Sequence, residues 1–469
     1  MADQLNSAVA PAVPHRGLAN RHIQFIAIGG AIGAGLFLGS GAAIAAAGPA
    51  TLLAYALCGV FVFLMARALG ELTLQASASA PFVSYVTRYV HPVAGFVTGW
   101  TYWANWVLVS AAEMTAAGLF VRYWFPSVPQ WIVVAVVFVG VVFVNIKAVR
   151  VFGEAEFWLA LGKILAVLAL VVLGLFVLFF PRVYPVAGAS FGNLYRYGGV
   201  VPTGLAGLIR LLPAALFAYG GVEVVALTAR EAKDPQTTIP RAINGVIARI
   251  LVFYIGTMLV LMSVAPWTSY SAQESPFVAM FVRIGIPAAG SLVNFVVLTA
   301  VVSAANTGLF ATGRMLSGLA QEGFAPKSLE PLDARGVPVA AICASGLCLM
   351  VVVFLNWLIP QRAFGVVIAT TGYLLLSVWL MVMIAHYNMR SRLGAKRGGF
   401  GLPLFPWSTW CSVAFIVLMA ILLVSNTQIW QSTVAAAAWF ATMTGVGVVR
   451  LRRASGLQRR IDSTETQPM

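Results

Sequence analysis

Only 9% of the 469 residues are charged, and only 14 of them are acidic. A soluble domain carries about a quarter of its residues as charges. A chain this poor in charge, with 60% of its residues hydrophobic, excludes a water-exposed fold and reads as an all-α polytopic membrane protein. Cysteine is scarce too: Cys58, Cys343, Cys348 and Cys411 sit in apolar runs without a CxxC, which argues against a disulfide framework or a zinc site. The four histidines, His15, His22, His91 and His386, form no HExxH or other metal spacing. No P-loop or metal-ligand cluster is present, so an integral-membrane enzyme has no machinery to point to, and no cofactor is expected. Residues 1–20 hold no compact apolar core with a small-residue cleavage site, so no removable signal peptide is expected.

What is present is twelve apolar runs, near 22–48, 50–70, 93–120, 131–149, 157–180, 206–229, 243–264, 288–312, 337–358, 364–386, 408–425 and 431–449. The links between them are short and marked by Pro and Gly, which leaves no room for a soluble domain. A single transmembrane domain is expected over 21–450, between a polar N-terminal tail (1–20) and a basic C-terminal tail (451–469). Twelve spans put both termini on one side. With that side taken as inside, only Arg122, Arg182, Arg196, Arg210, Arg283 and Arg362 of the 29 Lys and Arg fall outside. The positive-inside rule then makes both tails cytoplasmic in a cell inner (cytoplasmic) membrane. The net charge of +15 is spread over short loops facing lipid headgroups, so it implies membrane lipid and no nucleic acid as partner.

The first span, His22 to Gly48, carries Gly29-Gly30-Ala31-Ile32-Gly33-Ala34-Gly35 at its middle. Such a run weakens a helix, and broken backbone at bilayer depth must face a partner or a polar cavity. Two readings follow: a discontinuous helix that meets a ligand, or a GxxxG packing face using Gly29–Gly33 and Gly35–Gly39. Span six repeats the feature in Phe217-Ala218-Tyr219-Gly220-Gly221-Val222-Glu223. Two broken helices five spans apart match an inverted five-plus-five repeat and favour the ligand reading.

Charges inside the spans are expensive and invite functional readings. Glu113 shares a helical stripe with Tyr102, Trp106 and Val109; it can serve as a neutral acid between helices or carry a proton. Glu223 follows the second break and can brace its backbone. Lys163 lies about a turn into span five, where it can point inward or snorkel to the interface.

The sequence resembles the bacterial amino acid permeases of the amino acid–polyamine–organocation superfamily. The resemblance runs from about Gly17 to the last span. It is carried by GGAIGAGLFLGSG (29–41), AEMTAAG (112–118), VFGEAEFW (151–158), FAYGGVE (217–223), EAKDPQTTIPRAIN (231–244), SPFV (275–278), NFVVLTA (294–300) and GRMLSGLAQEGFAPK (313–327). It implies a LeuT-type fold of about 12 transmembrane helices: a 5+5 inverted repeat (about 22–180 and 206–386) with broken helices 1 and 6, plus two helices over 408–449. It implies a secondary active transporter that imports an amino acid with protons. By this resemblance Gly33, Ala34 and Gly35 receive the substrate carboxylate, with Ala34 where a hydroxyl residue is more usual. Phe217, Ala218 and Tyr219 face the ammonium and the side chain. Lys163 takes the place of a coupling sodium, and Glu223 and Glu113 join it as proton-coupling candidates. A neutral amino acid is expected as substrate. The competing readings are an exchanger of the same fold and a passive channel, the latter disfavoured by only three strong interior charges.

Overall fold

The computed structural model describes residues 33–75, 82–147, 149–223, 235–271, 274–358, 360–393 and 400–465. The N-terminal tail, the Gly29–Ile32 half of the first glycine run and the stretch just past Glu223 lie outside the described residues. Within them twelve helical segments have membrane character: nine long enough to cross a bilayer and three shorter ones. In chain order they are α1 (Ala34–Ala47), α2 (Ala50–Gln75), α3 (Pro92–Val121), α4 (Gln130–Ile146), α5 (Val149–Phe179) and α6 (Gly204–Phe217). They continue as α7 (Gln236–Val264), α8 (Pro287–Gln321), α9 (Val339–Leu358), α10 (Pro360–Leu393), α11 (Trp407–Ser425) and α12 (Trp430–Glu465). No strand occurs among the described residues. Among the described residues each of the twelve expected spans has a helical segment, and nine of these are long and apolar enough to cross a bilayer.

Two of these helices depart from the expected bounds in ways that matter. α5 begins at Val149 rather than near 157, so Lys163 lies about four turns into the helix instead of one. The polar sequence Val-Arg-Val-Phe-Gly-Glu-Ala-Glu looked like a link but is helical, and its Glu156 finds partners inside the bundle. α7 contains a π-helical stretch, Ile250–Gly256, which rotates the side chains around Tyr254 relative to a regular helix.

The bundle is organised around α3. Of its central window 78% is buried, against 11% for α12, so α3 is the mast and α12 lies on the lipid-facing periphery. The start of α3 is set locally: Pro92 occupies the first turn and the His91 Nδ1 accepts from the Val93 N–H at 3.1 Å. In lipid, apolar side chains gain little by meeting one another, so helix contacts rely on small residues and interhelical hydrogen bonds. α3 shows both. At its crossing with α8, Gly308 lies where any Cβ would collide with Ser110. Farther along, Asn294 of α8 donates to the Phe120 carbonyl at 2.9 Å, and Asn356 of α9 donates to Thr115 at 2.9 Å.

At the end of the bundle that the charge count assigns inside, a buried clasp ties three elements. Glu71 of α2 accepts from His386 Nε2 (2.9 Å) and Arg390 Nε (2.7 Å) of α10 and from the Leu402 backbone N–H (2.8 Å) in the α10–α11 connector. One turn earlier, Arg67 donates to the Gly401 carbonyl at 2.7 Å and to Asn244 of α7 at 2.8 Å, and its guanidinium stacks 4.1 Å from the Phe400 ring centroid. Glu71→Gln removes the charge that the Arg390 guanidinium faces and weakens the bonds from His386 and the Leu402 N–H, and hydrogen bonds to charged groups contribute about 1.5–3 kcal/mol each. The expected outcome is a loss of about 2–3 kcal/mol, read as a lower melting temperature of the detergent-solubilised protein. An unchanged melting temperature would mean the clasp is dispensable to the fold.

Candidate functional site

The first break is built from the absence of a side chain. Gly33 is extended (φ −141°, ψ −153°) and α1 starts at the next residue. The Ala34 N–H, left without an intrahelical acceptor, donates to both carboxylate oxygens of Glu113, at 3.0 Å to Oε1 and 2.9 Å to Oε2. Glu113 reaches this point from the middle of α3. A Cβ at Gly33 would collide with Glu113 Oε1, so only glycine lets the carboxylate lie against the backbone. Ala34 is fully buried and Glu113 is 5% exposed. The amide that the family resemblance reserves for a substrate carboxylate thus holds one of the protein's own. Tyr102 and Trp106 lie along the same face of α3, buried and edge to face with ring centroids 6.3 Å apart, as the helical stripe predicted.

The second break faces the first. α6 ends at Phe217, and residues 218–223 form a turn rather than a helix. A Cβ on Gly35 would stand 2.9 Å from the Ala218 Cα and 3.5 Å from the Phe217 ring, so the two interruptions touch backbone to backbone. Gly221 has φ +100°, a conformation open to glycine and costly for other residues. Its N–H donates to both Glu223 oxygens at 3.3 and 3.2 Å. The carboxylate therefore braces the turn locally. Tyr254 donates to the Ala218 carbonyl at 2.7 Å, out of the π-helical part of α7. Tyr219 is buried against Tyr254 and Tyr55, with ring centroids 4.5 and 6.0 Å away, and its hydroxyl donates to the Tyr55 carbonyl at 2.8 Å. Of the aromatic pair flanking Ala218, Phe217 is the one that meets α1, while Tyr219 packs toward α2 and α7.

Lys163 is fully buried, which removes the snorkelling reading. Its Nζ donates to Ser303 Oγ of α8 at 3.0 Å. Ser303 in turn donates to Glu156 Oε1 at 2.6 Å, and Nζ stands 3.8 Å from the same oxygen. Beside this group Asn145 of α4 donates to Asn306 Oδ1 of α8 at 2.8 Å. Glu156 is the residue that sequence reasoning missed. It is wholly buried, one α5 face with Lys163 seven positions on, and it raises the interior charges beyond the three expected. The available signal was the i, i+7 spacing of a carboxylate and a lysine, masked by placing Glu156 in a loop. Lys163 and Glu113 act on each other electrostatically, so the cluster adjoins the first break. Among the described residues no group of His, Cys, Asp and Glu has the geometry to hold a metal ion.

Apolar helices packed around a helix start and a helix end that meet backbone to backbone, with Glu113 and Glu223 bonded to the freed amides and Lys163 buried nearby, fit a multi-pass membrane transporter. The chain belongs to the amino acid permease family, whose sequence profile matches residues 22–452. It is 42% identical over 439 residues to the uncharacterized transporter YdgF of Bacillus subtilis, covering 93% of this chain and 95% of the relative. It is 41% identical over 444 residues to the amino-acid permease AapA of the same organism, with the same coverage. To the aromatic amino acid transport protein AroP of Escherichia coli K12 it is 41% identical over 435 residues, covering 92% and 94%.

The close approach of the two breaks can be tested by adding one carbon. Gly35→Ala must push α1 and the Ala218 backbone apart, and overpacking of this kind costs about 1–3 kcal/mol. Gly140→Ala in α4, where a Cβ meets nothing within 4 Å, should be neutral or stabilising by up to about 1 kcal/mol through helix propensity. Thermal melting of both variants in detergent checks this; equal melting temperatures would mean the breaks are not in tight contact.

Proposed function

We propose that the protein is a secondary active transporter that imports a neutral amino acid across the cytoplasmic membrane, driven by proton symport and alternating access, with both termini in the cytoplasm. Family membership and the named relatives support amino acid transport. The observation that carries proton coupling is the Lys163–Ser303–Glu156 group. A cation fully buried between α5 and α8, beside the first break, fills the place a bound metal cation would need. While protonated, the lysine ties α5 to α8 through Ser303 and attracts Glu156. As a free amine it no longer attracts that carboxylate, and the α5–α8 tie weakens. A change of protonation therefore acts on helix packing next to the substrate site.

The substrate sits, in this reading, between the Gly33–Gly35 backbone and the Phe217–Tyr219 turn, with its carboxylate toward α1 and its ammonium toward the α6 carbonyls. Glu223 holds the turn in shape. The rings of Phe217, Tyr102 and Trp106 and the relationship to an aromatic amino acid transport protein make aromatic side chains the first members of the neutral class to test. In this reading the domain consists of two five-helix repeats over about 22–180 and 206–386, with α11 and α12 outside them.

Uptake of radiolabelled amino acids into proteoliposomes under an imposed pH gradient, with and without sodium, tests this reading. The parent should accumulate a neutral amino acid without sodium. Lys163→Gln should lose accumulation by at least about tenfold, ~1.4 kcal/mol of driving. Lys163→Arg should recover at most part of it, because arginine keeps its charge but does not release a proton. Sodium-dependent uptake, or accumulation by Lys163→Gln equal to the parent, would reject proton coupling at this residue; uptake only against preloaded amino acid would identify an exchanger.

A further inference from the structure

The group that occupies the Ala34 amide is itself a carboxylate, and it comes from a different helix. Ala34 N–H is within 3.0 Å of both oxygens of Glu113, in a place shut off from water and opened for it by the missing side chain of Gly33. We propose that Glu113 is a resident stand-in for the substrate's α-carboxylate, so that an amino acid takes the Ala34 amide only as Glu113 takes up a proton. This rests on the reading that the Gly33–Gly35 backbone receives the substrate carboxylate, and it adds to that reading a stoichiometric link between binding and protonation.

The physical argument is one of crowding of like charge. One N–H cannot serve two carboxylates at full strength, and two carboxylates a few ångströms apart in a low-dielectric interior do not both stay ionised. The charged group that acts on Glu113 is Lys163 from α5, with Glu156 behind it, while Glu223 at the α6 turn acts on Tyr102 of α3. One cation, already beside Glu156, does not offset an added negative charge. The balanced event is this: the ionised Glu113 gives up the Ala34 N–H, takes one proton from solution, and becomes a neutral acid, while the substrate carboxylate accepts the freed N–H. The O–H so formed is a donor that the ionised group lacked, so the protonated side chain changes from competitor to partner of the bound carboxylate. Release reverses the sequence: Glu113 loses the proton, regains the amide and displaces the substrate.

The test uses the full-length protein in detergent, with L-phenylalanine and the other nineteen standard amino acids as probes. Binding is measured from pH 5.5 to 8.5, and proton uptake is followed with a pH indicator in weak buffer. For the parent, the expected result is proton uptake that rises toward about one per amino acid bound at the alkaline end of the range. Affinity should fall by up to about tenfold per pH unit on the alkaline side. Glu113→Gln should bind with no proton uptake and a flat pH profile, and at pH 8.5 it should bind at least tenfold more tightly than the parent. Lys163→Gln, although it removes the charge that acts on Glu113 and so alters the profile, should still take up a proton on binding. Parent binding without proton uptake would overturn the proposal, and that measurement stands even if a variant fails to fold. A pH dependence that persists in Glu113→Gln and disappears in Lys163→Gln would overturn it in favour of the lysine. If the parent binds none of the amino acids, the transport reading itself fails, an outcome distinct from binding without protons.

Discussion

A peptide group stripped of its partner in the middle of a bilayer costs several kcal/mol, and the start of α1 and the turn after α6 both leave such groups without an intrahelical partner. The partners come from elsewhere in the bundle. Glu113 of α3 meets the Ala34 N–H, Tyr254 of α7 meets the Ala218 carbonyl, and Glu223 meets the Gly221 N–H. This requirement explains features that look unrelated. α3 has to be the most buried helix because it delivers a carboxylate to the centre. α7 has to leave α-helical geometry over Ile250–Gly256 because Tyr254 must reach the turn after α6. Gly33 and Gly35 have to be side-chain-free because a carboxylate and a second backbone lie against them.

The kind of partner is as informative as its presence. The broken backbone is satisfied by carboxylates and a tyrosine hydroxyl, groups that can change protonation or swap acceptors. Bonds to charged groups contribute about 1.5–3 kcal/mol each, enough to hold one arrangement and little enough to be exchanged for bonds to a ligand. The Lys163–Glu156 pair follows a related logic. A buried pair adds little net stability compared with an apolar pair, yet removing one member leaves an uncompensated charge that is costly. Such a pair is suited to control a conformational equilibrium more than to hold a fold together.

α2 connects the centre to the basic end of the bundle. Its Tyr55 carbonyl receives the Tyr219 hydroxyl beside the second break, and its Glu71 anchors the clasp with α10 and the following connector. The two points are sixteen residues apart, about 24 Å along one continuous helix. A shift of α2 at the break is therefore carried rigidly to the clasp, where Arg67 also reaches α7 and the connector.

Much of this protein was determined by its sequence alone. Scarcity of charge and twelve apolar runs decide a helical membrane domain, because a span needs only length and hydropathy. The distribution of Lys and Arg gives the expected orientation. Paired glycines in spans one and six locate the breaks, since a helix cannot hide that composition, and Glu113, Lys163 and Glu223 stand out because a charge inside an apolar run is costly to bury. What only the tertiary structure decided is which groups those breaks meet. Nothing in span one says that its amide faces Glu113 seventy-nine positions on, or that Tyr219 packs toward α2 and leaves Phe217 against α1. Glu156 was invisible for the same reason: two residues after Glu154 and six after Arg150 it reads as a loop, and only the helical turns that set Lys163 on its own face of α5, with Ser303 brought in by the α5–α8 crossing, turn it into a buried carboxylate. Local pattern records how costly a residue is to bury, whereas the partner that offsets the cost is supplied by helix packing, which no single span encodes.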